Sequence, residues 1–284
     1  MKKQTKTVVT GSNGFIGSHL VKRLDALGFD LGNGDVRDLP SLLEFLLKYR
    51  IERVYHLAAL PLVVDAFKNP MDTYLTNTVG TLNVLEASRI LSIETIIITT
   101  DKVYGECIEA REDDPLVAGH PYDTSKTCAD LIAQSYMRAY GLPITILRYG
   151  NVYGEGDTNY SRIVPGIMES LILDRPLIIR SSGNLKRDYI YIDDVIKGTI
   201  KAQERRGIYN ISSDENLTPL EIIDLVERVL GKKVKYIIQD HQNHELMYQS
   251  ISYDKIRQIT DWEPTTQMAD RVPKIFKWYE KQLK

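Results

Sequence analysis

The chain has 284 residues, 43% hydrophobic and 26% charged, which suits a globular protein of one large α/β domain or two smaller ones. A net charge of −2 and a pI near 6.2 give no electrostatic reason to expect nucleic acid or an anionic membrane as partner. No apolar stretch approaches the roughly 18 residues of a membrane span, nothing resembles a signal peptide, and Cys107 and Cys128 suggest neither a disulfide framework nor a metal site, so a cytoplasmic location is expected.

Along the chain, short apolar runs alternate with amphipathic stretches, the pattern of a parallel sheet with helices on both faces. The first strand is read at residues 7–10 and the first helix at 15–27, closed by Gly28. Between them stands Gly11-Ser12-Asn13-Gly14-Phe15-Ile16-Gly17. In this strand–turn–helix context the glycines permit a tight turn and close backbone approach, and the helix start offers N–H groups to a pyrophosphate. A dinucleotide is therefore expected on Gly11, Asn13, Gly14, Phe15, Ile16 and Gly17.

The next strand is short of room. Only residues 29–34 separate Gly28 from Asp35-Val36-Arg37-Asp38, so the strand is either vestigial, at Phe29-Asp30-Leu31, or lost from the sheet edge. Asp30 is the one plausible ribose carboxylate, and the lack of a basic cluster beside it favours NAD over NADP.

A helix follows at 42–49, a strand at 53–57, and a helical stretch at 73–90 with Leu75, Val79, Leu82 and Leu85 on one face. Ile96-Ile97-Ile98 reads as a strand covered on both sides. His120-Pro121-Tyr122-Asp123-Thr124-Ser125-Lys126 then opens a helix that runs to Tyr140 and stops at Gly141, ahead of a strand at 144–147. Tyr122 and Lys126 stack on one face of that helix. An ammonium so placed favours the phenolate, lowering a reference pKa of about 10 and giving a base for an alcohol proton.

Beyond Gly150 the chain is rich in Gly, Asn, Asp and Arg, with helices at 163–173, 220–230 and 269–281. Residues 189–203 read as a strand and helix that return to the main sheet. The expected fold is α/β. A doubly wound parallel sheet with a shortened second-strand region spans 1–150, with 187–206 returning to it, and a smaller α/β substrate lobe spans 151–284.

These motifs, with His56-Leu57-Ala58-Ala59, Arg148-Tyr149-Gly150-Asn151-Val152-Tyr153-Gly154 and the run from Arg187-Asp188-Tyr189 to Asp194-Val195, resemble the extended short-chain dehydrogenase/reductase superfamily. The resemblance extends from residue 7 to Trp262-Glu263-Pro264. It implies a Rossmann-type first lobe, tightly bound NAD, a nucleotide-diphosphate sugar as substrate, and a homodimer paired through the helices at 73–90 and 122–140. It implies cofactor contacts from Asp30, Asp35, Val36, Leu57, Ala58, Ala59, Asn77, Tyr122 and Lys126, besides the glycine loop. Substrate contacts are implied for Leu62, Asn151, Asn159, Arg162 and Arg187. Asn151 and Arg187 are the candidates for the diphosphate, because a guanidinium grips phosphate oxygens at two points; the alternative for Arg187 is a salt bridge to Asp188 or Asp194.

Within the superfamily, Thr99-Thr100-Asp101-Lys102-Val103-Tyr104-Gly105 resembles the CDP-glucose 4,6-dehydratases, whereas four-epimerases carry a serine-rich version. Ala58-Ala59-Leu60-Pro61-Leu62-Val63, Asn159 with Arg162, and His244-Glu245 with Gln249 resemble that group too; the short second strand and Val64-Asp65 depart from it. The implied reaction has Thr100 hydrogen-bonding the sugar O4 and Tyr122 taking its proton while the C4 hydride passes to NAD. The 4-ketone acidifies C5–H. One of Asp101 and Lys102 removes that hydrogen, the other protonates the departing C6 hydroxyl, and hydride returns to C6. The resemblance favours Asp101 as acid and Lys102 as base, roles that a direct ion pair would oppose, so the two are expected to face apart. His56 is expected to be structural. A nucleotide-sugar 4-epimerase, with no need for Asp101 and Lys102, is the alternative; a non-catalytic dinucleotide-binding protein is a third reading, suggested by the short 29–34 segment.

Overall fold

A computed structural model describes residues 5–240 and 246–284. The first half alternates strand and helix: β1 (Thr7–Thr10), α1 (Phe15–Leu24), β2 (Leu27–Phe29), α2 (Leu39–Tyr49) and β3 (Arg53–His56). Two short helices, α3 (Val63–Lys68) and α4 (Pro70–Tyr74), run through a π-turn at Leu75–Val79 into α5 (Gly80–Leu91). Next come β4 (Glu94–Thr100), a 3₁₀ turn at Asp101–Tyr104, β5 (Cys107–Ala110), α6 (Pro121–Tyr140) and β6 (Ile144–Tyr149).

The second half holds β7 (Asn151–Tyr153), α7 (Ile163–Leu173), β8 (Leu177–Ile179), β9 (Lys186–Tyr191), α8 (Ile192–Ala202) and β10 (Gly207–Ile211). It continues with β11 (Asn216–Leu217), α9 (Pro219–Leu230), β12 (Tyr236–Ile238), β13 (Tyr248–Ile251), α10 (Asp254–Ile259) and α11 (Met268–Leu283).

The main sheet is parallel throughout, in the order β10-β6-β4-β3-β1-β2. Between β1 and β3 the strand order reverses, which opens a crevice above the carboxyl ends of the strands. The second sheet runs β11-β9-β13-β5, with β7 also paired to β9, and β12 pairs β8 separately. One apolar cluster runs from Val9, Ile96 and Leu147 of the main sheet to Ile167, Ile222 and Val272 beyond it. Among the described residues, no helix is long and apolar enough to cross a membrane.

Two expectations about this frame need correction. The first helix ends at Leu24, not Leu27, because Asp25 takes a left-handed conformation (φ 50°) and turns the chain. Gly28 is then the middle of a second strand that is present after all, three residues long and parallel to β1. A Cβ at Gly28 would stand 2.7 Å from Ser12 Oγ, so the strand fits beneath the glycine turn only without a side chain. The second correction concerns 189–203. Its strand, β9, belongs to the second sheet; α8 packs on α1, and the strand that returns to the main sheet is β10, at 207–211.

Candidate active site

A cavity of 1320 Å³ opens between the ends of the main-sheet strands and the second half of the chain. Its floor is the glycine turn. Gly11 sits at φ +68°, and a Cβ there would lie 2.7 Å from Ala58 N; a Cβ at Gly17 would lie 2.1 Å from Gly11 O. Gly14 begins α1 with no side-chain cap, which leaves the helix start to a ligand. Asp30 follows the last residue of β2, and its Oδ2 accepts from Asn13 N at 2.8 Å while Oδ1 accepts from Leu31 N at 2.9 Å. A bare glycine cradle with a carboxylate fixed at its rim fits a dinucleotide with a free ribose hydroxyl.

Gly11, Asn13, Gly14, Phe15, Ile16, Gly17, Asp30, Asp35, Val36, Leu57, Ala58 and Ala59 all border this cavity. Asp35 is held by Arg37, whose guanidinium lies 2.6 Å away and keeps the carboxyl below its ordinary range. Asn77 does not border the cavity. It sits buried in the π-turn, where Oδ1 accepts from Leu60 N at 2.7 Å and Nδ2 donates to Ser125 Oγ at 2.9 Å, bracing the 60s loop against α6.

Tyr122 and Lys126 project from the first turns of α6 into the same cavity. The expected lowering of the phenol is not what the site produces. Burial pushes Tyr122 well above its ordinary value, and the Arg162 guanidinium opposes this only in part. Lys126 instead donates to Ile98 O at 2.8 Å, and burial brings its ammonium down to about 8 against the pull of Asp130. His56 lies behind them, bonded to Thr10 Oγ1 at 2.8 Å and Thr81 Oγ1 at 3.0 Å; burial lowers it to about 3, so it stays neutral.

β4 delivers Thr100 to the cavity and then tightens into the 3₁₀ turn. The expectation that Asp101 and Lys102 face apart is not met. Lys102 Nζ lies 3.3 Å from Asp101 Oδ1, because extended backbone ends at Thr100 and strand alternation no longer separates neighbours. Lys102 lines the cavity and also reaches Asn151 Oδ1 at 3.4 Å. Asp101 is 1% exposed and set back from the wall; its Oδ1 also accepts from Thr100 Oγ1 at 2.9 Å, and its Oδ2 has no partner among the described residues.

Leu62, Asn151, Asn159, Arg162 and Arg187 border the other side. Arg187 makes neither of the salt bridges considered for it. Its guanidinium donates to Lys186 O at 2.7 Å and Leu246 O at 2.6 Å, which holds the cation over the cavity. Arg162 pairs with Asp157 at 3.1 Å, and Asn159 Oδ1 accepts from Ser161 N at 3.1 Å. Asn151 Nδ2 donates to Asp188 O at 3.3 Å. Gln249 Nε2 donates to Gly105 O at 3.0 Å; His244 and Glu245 lie outside the described residues.

Sequence reasoning missed Arg180, Leu185 and Pro219 on the wall, and no local pattern marks them. It also gave no role to Asp123, buried beside Tyr122 with Oδ1 unpartnered among the described residues. Burial raises the Asp123 carboxyl against the nearby Lys102 cation.

Residues 7–212 match the model of the NAD dependent epimerase/dehydratase family, and the chain belongs to that family. Its fold is the Rossmann-like α/β fold, and NAD is the cofactor of the family. The CDP-glucose 4,6-dehydratase of Salmonella typhimurium is 28% identical over 87% of this chain and 76% of its own. A putative UDP-glucose 4-epimerase of Methanocaldococcus jannaschii is 27% identical over 95% of this chain and 97% of its own. The structure of the Thermus thermophilus UDP-glucose 4-epimerase in complex with NAD superimposes with a TM-score of 0.90 at 26% identity, covering 97% of this chain and 99% of that one.

Proposed function

We propose that this chain is a lyase that dehydrates a nucleotide-diphosphate hexose to a 4-keto-6-deoxy sugar with tightly bound NAD, CDP-glucose being the favoured substrate. The observation that carries this reading is the Asp101–Lys102 couple beside Thr100, at the end of the central strand β4. Epimerisation at C4 needs one base, whereas removing water across C5 and C6 needs a proton acceptor and a proton donor together.

In this reading the glycine turn, Asp30, Tyr122 and Lys126 hold NAD, which when bound takes up and gives back a hydride. Thr100 orients O4 and Tyr122 takes its proton. Lys102 and Asp101 exchange protons with C5 and the C6 hydroxyl. Arg187 and Asn151 support the diphosphate, with Arg162 and Asn159 toward the nucleotide.

The 3.3 Å contact between Lys102 Nζ and Asp101 Oδ1 supports Lys102 as acid and Asp101 as base rather than the reverse. A second reading, nucleotide-sugar 4-epimerase, is favoured by one observation: Asp101 is set back from the cavity wall. Incubation with CDP-, UDP-, dTDP- and GDP-hexoses in D₂O separates the two. Dehydration gives a product lighter by one water with deuterium at C5; epimerisation gives an isobaric product without it.

A homodimer belongs to the same proposal. Leu82 and Ile90 of α5 and Leu131 and Tyr140 of α6 are exposed on two helices that pack side by side. Light scattering of the purified protein at the mass of one chain would remove it.

A further inference from the structure

On the nucleotide-sugar reading, two arginines face the nucleotide diphosphate, and they are held differently. Arg187 donates to two backbone carbonyl oxygens. Arg162 leans on a side chain: its Nη1 lies 3.1 Å from Asp157 Oδ2, and its other guanidinium donors have no partner among the described residues. Both Arg162 and Asp157 border the cavity. A carboxylate on the wall of an anion site opposes the ligand by its charge, so the presence of Asp157 there calls for a reason.

We infer that Asp157 is the positioning residue for Arg162, and that α11 braces it. The Asp157 side chain is 3% exposed, against 37% for Arg162, so the buried partner fixes the exposed one. Asp157 is itself tied at two further points. Its Oδ1 accepts from Asn159 N at 3.1 Å, and its backbone oxygen accepts from the hydroxyl of Tyr279, a fully buried residue of α11. With Nη1 engaged, Arg162 keeps its Nε–Nη2 edge, the edge that presents two parallel donors to phosphate oxygens. Arg162 also precedes α7, a helix with no side-chain cap whose first residues border the cavity, so the positive end of that helix adds to the same attraction. A long side chain left free would lose its rotamer freedom on closing over the ligand. Asp157 removes that cost beforehand, and α11 thereby contributes to nucleotide affinity through Tyr279 without touching the nucleotide.

The test is calorimetric titration of the NAD-loaded protein with CDP, UDP, dTDP and GDP, followed in the variants with whichever binds wild type most tightly. Arg162→Met is expected to weaken binding about 10–100-fold, the value of one or two hydrogen bonds to a charged group. Asp157→Ala is expected to weaken it about 3–10-fold, the cost of ordering one arginine on binding, although loss of the negative charge alone would tighten it. Tyr279→Phe keeps the carboxylate and tests the brace in a chain altered by one hydroxyl; it is expected to weaken binding in the same direction. In an Arg162→Met background neither change is expected to weaken binding further, since no guanidinium is left to position. A merely structural role would weaken binding equally in both backgrounds, which overturns the inference, as does tighter binding by Asp157→Ala. Unchanged binding by Tyr279→Phe overturns the link to α11. Arg162→Met within about twofold of wild type takes Arg162 off the nucleotide, and the inference with it. Wild type that binds none of the four diphosphates instead overturns the nucleotide-sugar reading on which the inference rests.

Discussion

Arg148 grips Asp130 with two hydrogen bonds, Nε to Oδ2 at 2.8 Å and Nη2 to Oδ1 at 3.0 Å, and both side chains are shut away from solvent. The same guanidinium donates to Tyr104 Oη at 2.6 Å and Glu112 O at 3.0 Å. It thereby ties β6 and α6, the helix of Tyr122 and Lys126, to the turn that carries Asp101 and Lys102. Arg148→Met leaves Asp130 buried without its cation. The unfolding free energy is expected to drop by about 3–5 kcal/mol, measured by denaturant titration. A loss under about 1 kcal/mol would show that the pair adds little beyond packing.

Asp101→Asn and Lys102→Met divide the chemistry. Each is expected to lower water loss by about 10²–10⁴-fold, while the nicotinamide absorbance still shows reduction by the nucleotide sugar, since Thr100, Tyr122 and Lys126 are untouched. Wild-type turnover in both variants would leave the epimerase reading standing.

Asp30 accepts two backbone N–H groups and points its carboxylate along the glycine turn. Asp30→Ala is expected to weaken NAD binding about 10–100-fold, the value of one or two hydrogen bonds to a charged group. It is also expected to narrow the preference for NAD over NADP. Fluorescence titration with both dinucleotides checks this; unchanged affinities would place the ribose elsewhere.

Lys126 supplies a signed pH dependence. Its ammonium titrates near 8 in the folded protein against 10.5 for the free side chain. Between those values the unfolded chain holds the extra proton, so stability rises with pH across the window. Relative to Lys126→Met, wild type is expected to gain about 3 kcal/mol across that window. Urea unfolding of both proteins at several pH values measures the difference, and a flat difference would mean that Lys126 is better solvated than its position implies.

Much of the site was legible because its signals are local. Strand, glycine turn and helix are adjacent in sequence, so the spacing of Gly11, Gly14 and Gly17 already fixes a backbone that can approach a pyrophosphate. Tyr122 and Lys126 share a helix face through a four-residue step that owes nothing to the rest of the molecule. The errors have a common origin. Leu27 and Gly28 read as a helix end because periodicity alone cannot tell a three-residue strand from the last turn of a helix. Asp101 and Lys102 read as facing apart only if the strand continues past Thr100, and it does not.

The sequence by itself determined the class of fold, the dinucleotide turn and the Tyr122–Lys126 pair, since each follows from contacts a few residues apart. Only the tertiary structure decided that β9 leaves the main sheet, that Asn77 braces a loop and that Asp101 is sealed behind Thr100. It also decided that Tyr122 is buried, which pushes its phenol above its ordinary value. Those outcomes depend on desolvation and on partners far away in the chain, as when Tyr104 meets Asn210 or Gly105 meets Gln249. Burial is a property of the assembled layers, and no local pattern encodes it.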